Sequence, residues 1–250
     1  MDFVNFEVGS KTVSLAILNI LLTEQYRENL TEMPNHNPNF MGIKDFMNIP
    51  VPIFDLGKIL NHCSTKDKNT QTVNQFLEQK NIFNQWLLSN KGNNVLTKPH
   101  ALLKWLNNFT SSDEDLASIM SKAKLIVEQI AQQNISDDNK LNSKVNQLFE
   151  NAIEHIEYSY KPIIVFTTIN GSAPHIGLLV DKVEDNIHVN ESDIKSLDKV
   201  TTVGFELDND TKAILKGLIQ LGDKHSLIID PASLFTKGIK SDEVQPEAVV

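Results

Sequence analysis

The chain of 250 residues holds a single cysteine, Cys63, so no internal disulfide can form and a reducing compartment suits it. No apolar run reaches the roughly 18 to 20 residues that a membrane-crossing helix requires. The N-terminus, Met1-Asp2-Phe3-Val4-Asn5-Phe6-Glu7, lacks the basic region and long apolar stretch of a secretory leader. Glycine and proline are sparse and no segment is of low complexity, so little of the chain reads as disordered. Basic residues are in deficit: 23 Lys and Arg face 32 Asp and Glu, a formal charge of −9. A field of that sign repels phosphate backbones and disfavours nucleic-acid binding. These absences predict a soluble, folded, cytoplasmic protein with no membrane insertion.

What is present changes character twice. From Phe3 to Leu60 the pattern is of strands and turns: Phe3, Val4, Phe6 and Val8 precede the break Gly9-Ser10-Lys11, and Val13 to Ile17 follow it. Pro34, Pro38, Pro50 and Pro52 exclude a helix between Met33 and Pro52, and Val51 to Leu56 reads as a short strand at an edge or bulge. From about Lys66 to Tyr160 the apolar residues recur at helical spacing. Val73, Phe76, Leu77, Ile82, Phe83, Trp86 and Leu87 mark one helix, and Leu102, Leu103, Leu106 and Phe109 a second one behind Pro99. Ser111-Ser112-Asp113-Glu114 and Ser136-Asp137-Asp138 start a third and a fourth. Strands return at Pro162–Phe166, Ile176–Val180, Val200–Leu207, Ala213–Gln220 and Ser226–Ile229, and the residues after Phe235 read as solvated coil.

Catalytic patterns are missing. Neither GxxxxGK nor GxGxxG occurs, and Ser14, Ser172 and Ser226 lack a glycine-flanked elbow. His62-Cys63 has no partners at metal-ligand spacing. Asp113-Glu114-Asp115 and Asp137-Asp138 sit at helix starts, where carboxylates complement the macrodipole, and no twelve-residue calcium loop follows. Asp55 and Asp181 each end an apolar strand, a place for accepting hydrogen bonds from backbone amides. Trp86 and Trp105 belong to a helical core.

Met33-Pro34-Asn35-His36-Asn37-Pro38-Asn39-Phe40-Met41-Gly42 resembles the proline-punctuated loop of CheW-like domains, and Pro52-Ile53-Phe54-Asp55-Leu56 their Pro-Val-Ile-Asp-Leu strand end. Ile176–Val183 is similar to the family's Gly-Leu-Val-Val-Asp-x-Val strand. Lys216–Ile219 and Leu227–Phe235 are similar to its closing hairpin. The resemblance implies an α+β chain in which two SH3-like β-barrels are interrupted by an inserted four-helix bundle. It implies a non-enzymatic adaptor that couples chemoreceptor cytoplasmic tips to the regulatory domain of a CheA-like histidine kinase in chemotaxis signalling. The implied partner-binding residues are Asn35, Pro38, Met41, Phe46, Met47 and Asn48, with no catalytic residue and no cofactor. One departure falls inside that set: Asp45-Phe46-Met47-Asn48 stands where the family usually carries Asn-Leu-Arg-Gly.

Within the helical block, His100-Ala101-Leu102-Leu103-Lys104-Trp105 is similar to the Cys-x-x-Gly-x-Trp segment of chemoreceptor zinc-binding (CZB) domains. The helix that should carry that family's His-x-x-x-His has no histidine, and structural zinc takes about four ligands. The resemblance therefore implies a bundle that has lost its metal, with His100 the one candidate ligand. Two alternatives remain: a ligand- or metal-sensing module, or a histidine phosphotransfer module using His100. The expected organisation is a CheW-like first part over 1–65, the insertion over 66–160, a second part over 161–236 and a flexible tail over 237–250.

Overall fold

In the computed structural model, which describes residues 1–91, 97–133, 138–196, 209–222 and 224–236, the alternating N-terminal residues form an antiparallel hairpin. Its strands are β1 (Asp2–Val8) and β2 (Lys11–Ala16), and Gly9, at φ +63°, supplies the left-handed turn residue. A 3₁₀ turn at Ile17–Asn19 leads into β3 (Ile20–Gln25), and β4 (Phe40–Phe46) with β5 (Ile49–Asp55) makes a second hairpin. The strand expected over Val51–Leu56 ends at Asp55. The Asp55 carboxylate accepts the Lys58 N–H at 3.0 Å and caps α1 (Leu56–Asn61), so the apolar run after it turns helical. On the far side of the helical block lie β6 (Ile163–Thr168), β7 (Pro174–Val180), β8 (Lys182–His188) and the two-residue β9 (Ile194–Lys195). After them come a further short helix (Asn209–Lys212), β10 (Leu215–Leu221), β11 (Lys224–Ile229) and a last short helix (Pro231–Thr236). The strand expected over Val200–Leu207 and the tail over 237–250 lie outside the described residues.

The chain is mixed α+β, and its described strands form two sheets. One has the order β8-β1-β2-β11-β10-β9 and the other β3-β6-β7-β5-β4. Each sheet contains one parallel pair, β2 with β11 and β5 with β7, and both join strands far apart in sequence. Among the described residues, apolar side chains on these sheets fill three layers. The largest takes Phe6, Val8 and Leu15 from one sheet and Val165, Leu178 and Val180 from the other. A second, of Phe46, Val51, Ile53, Ile164, Phe166 and Leu179, covers the other face of the five-stranded sheet. A smaller one holds Phe3, Val189, Ile219 and Ile228 on the six-stranded sheet. Strands β6 and β7 are apolar on both faces because both faces are covered, and they therefore read as unbroken apolar runs. Gly177 is what lets those layers close: a Cβ there would sit 2.3 Å from Ile53 Cδ1 and 2.9 Å from Ile164 Cγ2.

The chain divides into two compact units, Met1–Thr65 with Lys161–Val250, and Lys66–Tyr160. The second is helical: α2 (Thr65–Ser89), α3 (His100–Asn108), α4 (Glu114–Gln133) and α5 (Asn139–Ser159). Its core is aromatic. The Phe76 ring meets Trp105 edge-on at 5.5 Å and Phe149 at 6.5 Å, and Trp86 is buried beside Phe83 with its N–H donated to Thr97 O at 2.6 Å. Asp113 accepts the Leu116 N–H at 2.9 Å and Asp138 the Lys140 and Leu141 N–H groups, so carboxylates start α4 and α5. Asn84 and Asn146 exchange amide hydrogen bonds of 3.0 Å between α2 and α5. No helix among the described residues is long and apolar enough to cross a membrane.

Candidate docking surface

The β4–β5 hairpin carries the most unusual backbone among the expected contact residues. Phe46 pairs with Ile49, leaving Met47 and Asn48 as a two-residue turn with φ +51° and +65°. Two successive left-handed residues follow the right-handed twist of the flanking strands, and asparagine tolerates that conformation. Methionine does not favour it; a Cβ-bearing residue in the left-handed region is disfavoured by about 1–2 kcal/mol. Its side chain is 77% exposed, so little packing offsets the strain. Ile49 beside it is also exposed, which leaves an apolar tip in water. Phe46 is different: it is buried, its ring tilted against Phe166 at 4.6 Å, and it holds the tip from beneath.

At the other end of β4 a chain of short turns orders the loop. Asn35 Oδ1 accepts the Asn37 N–H at 2.8 Å, Asn37 Oδ1 accepts the Asn39 N–H at 2.9 Å, and Asn39 O accepts the Asp55 N–H at 2.9 Å. Asn35 and Pro38 are exposed, and Met41 packs half-buried against the Phe46 layer. Strand β4 is an edge of its sheet, and Thr31 covers it at Ile43 with hydrogen bonds of 2.8 and 2.9 Å. That approach needs Gly42, at φ +141°, because a Cβ there would lie 2.7 Å from Thr31 O. Lys44 is buried, its ammonium 3.0 Å from Glu24 and 2.8 Å from Asn29 Oδ1. The structure does not gather all six expected contact residues. A strand of this length separates Asn35 and Pro38 from the tip by about 20 Å, while Phe46, Met47 and Asn48 are adjacent at the tip and Met41 packs against the Phe46 layer.

His100 is the exposed first residue of α3, with Lys104 exposed one turn on. Cys63 is half-buried and its thiol faces Ser64 O at 3.4 Å. The spacing of residues did not reveal that His155, on α5, meets Asp113 at 2.7 Å, bringing Asp113, Asp115 and His155 within 4.8 Å of one another. Partial burial pushes the Asp113 pKa up, but the Leu116 N–H and the histidine together outweigh it and lower the pKa.

Asp181 follows β7 and receives the Gly9 N–H at 2.6 Å and the Thr65 hydroxyl at 3.0 Å. Burial, with Glu7 and Asp55 nearby, raises its pKa against those two hydrogen bonds. A raised folded pKa means that the folded chain holds a proton which the unfolded chain has already released. Its contribution to stability therefore falls as pH rises from the ordinary carboxylate value through the raised one. Asp181→Asn keeps an oxygen to accept both donors and removes that dependence, so it unfolds at or above the wild-type midpoint at neutral pH. Asp181→Ala strands both donors and loses about 1–3 kcal/mol. Urea unfolding of the three proteins across a pH series checks this, and an asparagine variant weaker than the alanine one would refute it.

No family model matches the chain, and no curated protein matches it. Among solved structures it is similar to the scaffolding protein TtCheW from Thermoanaerobacter tengcongensis, at 15% identity and a TM-score of 0.45, over 92% of this chain and 84% of that one. A likeness that distant carries no functional weight.

Proposed function

We propose that the chain is a non-enzymatic, cytoplasmic signalling scaffold of the CheW-like kind. It docks on a CheA-like kinase regulatory domain or a chemoreceptor cytoplasmic tip. In this reading each sheet belongs to one SH3-like barrel, and residues 66–160 are a degenerate CZB-like four-helix bundle that modifies partner choice. The observation that carries the proposal is the strained, exposed Met47–Asn48 tip at the end of an edge strand. Backbone strain without packing persists where a surface has another use. The ordered set of resembling segments, from Met33 to Phe235, supplies the kind of partner.

The tip suggests how docking works. The family's arginine would offer a planar fork of donors to a carboxylate. Met47 offers a polarisable, adaptable apolar side chain instead, which fills an irregular groove and needs no counter-charge. Binding through it depends little on ionic strength, because screening acts on charges. Calorimetric titration of the full chain with a purified kinase regulatory domain, and separately with a receptor cytoplasmic fragment, tests the proposal. A micromolar complex with one of them that survives raised salt is expected. Absence of a complex with both would overturn it.

A further inference from the structure

One face of the six-stranded sheet holds a polar network that is buried. Asn5 on β1, Ser14 on β2 and Ser226 on β11 are all buried, at 8%, 0% and 5% exposure. Ser14 Oγ lies 2.6 Å from Asn5 Oδ1 and 2.6 Å from Ser226 Oγ, and Ser226 Oγ lies 3.2 Å from Asn5 Oδ1. Asn5 Nδ2 donates to Asp185 Oδ1 on β8 at 2.8 Å. Two hydroxyl protons serve these contacts. Assigning them to the two shortest gives a single direction, with Ser226 donating to Ser14 and Ser14 donating to Asn5. The chain of donors leaves Ser226 Oγ as an acceptor with both lone pairs unused by the network.

Ser226 borders a cavity of about 460 Å³, which Asn5, Glu184, Asp185, His225, Ile187 and Ile219 also line. Two carboxylates and two isoleucines are among its lining residues. No lysine or arginine is among the described residues that line it. Acceptors and negative charge converge on one volume, and burying three polar side chains on a sheet face is unfavourable unless their hydrogen bonds are completed.

We propose that this cavity binds a small organic cation, an ammonium group carried on a short apolar chain. The ammonium donates to Ser226 Oγ and to the Asp185 and Glu184 carboxylates, and the carbon chain lies on Ile187 and Ile219. The assignment is independent of the docking reading and uses only residues of the β-sheet unit.

Butylamine is the probe, with butanol and butyrate as controls for the charge and its sign. Methyl resonances of Ile187 and Ile219 in the full chain report occupancy by NMR. The expected result is a saturable shift with butylamine and none with the controls. Glu184→Gln with Asp185→Asn weakens binding about ten-fold or more, since hydrogen bonds to a charged group are lost. Glu28→Gln with Glu32→Gln removes the same charge elsewhere and leaves binding unchanged. The asparagine at 185 retains an oxygen for Asn5, and a thermal melt confirms folding. Should the double variant fail to fold, Ser226→Ala gives the same reading, because it deletes the acceptor, at the cost of the hydrogen bond to Ser14, and keeps both carboxylates. No saturable shift up to about 10 mM, an equal shift with butanol, or equal weakening in the Glu28/Glu32 pair overturns the assignment.

Discussion

Phe166→Ala lowers the stability of the β-sheet unit by about 3–5 kcal/mol, at the upper end for a core truncation. The ring is fully buried and lies among Val51, Ile53, Ile164 and Leu179, with Phe46 at 4.6 Å. Three of those neighbours are β-branched and fixed on paired strands, so they have few rotamers with which to fill the void. On β7 the residue paired with Phe166 is Gly177, which has no side chain to move in. The aromatic contact with Phe46 adds about 0.5–1.5 kcal/mol to the area lost. Urea unfolding should show a lower midpoint with an unchanged slope. A loss under about 1 kcal/mol would mean that this layer is not a packed core. Phe166→Leu, which restores most of the volume, should lose less than the alanine variant.

Met47→Gly separates the two properties of the hairpin tip by moving them in opposite directions. Glycine adopts φ +51° without strain, so the variant folds as stably as wild type or up to about 1 kcal/mol more so, after the entropy it adds to the unfolded chain. The same change deletes the exposed side chain proposed to enter a partner groove, and affinity for that partner falls about ten-fold or more. Unfolding and calorimetric titration of one preparation read both quantities. A variant that binds as tightly as wild type would remove Met47 from the interface. A variant that is markedly less stable would show that the methionine packs in solution.

Much of this architecture is legible because burial writes itself as periodicity. The runs at Phe3–Val8, Ile163–Phe166 and Ile176–Val180 become strands, and the helical spacing between Lys66 and Tyr160 becomes α2 to α5. Strand β8 is not legible in that way. It is an edge strand, exposed along almost its whole length, and Lys182, Glu184 and Asp185 give it the composition of a loop. Those charges blunt an open edge, and they also erase the apolar alternation that would announce a strand. Helix α1 was hidden because Leu56 continues the apolar run of β5, and the Asp55 cap is a hydrogen bond rather than a composition signal.

The same division holds at the site. The segment resemblance located the β4–β5 hairpin, but the left-handed turn, the burial of Phe46 and the distance from Asn35 to Met47 are properties of pairing register. The Asn5–Ser14–Ser226 network could not be read, because β11 reaches the β1–β2 hairpin only when the sheet closes its long-range pair.

Those long-range pairs also set a timetable. Ser14 and Ser226 are 212 positions apart, and β2 completes its sheet only by pairing with β11. In order of synthesis the β1–β2 hairpin therefore comes well before Val165, Leu178, Ile214 and Leu227, and the layer that Phe6, Val8 and Leu15 share with them is complete only when those residues have been made. Residues 66–160 emerge in between as a continuous stretch of local helical contacts, of the kind that folds fastest. The β-sheet unit thus begins before the helical block and is completed after it, and its apolar strands stay exposed to aggregation during that interval.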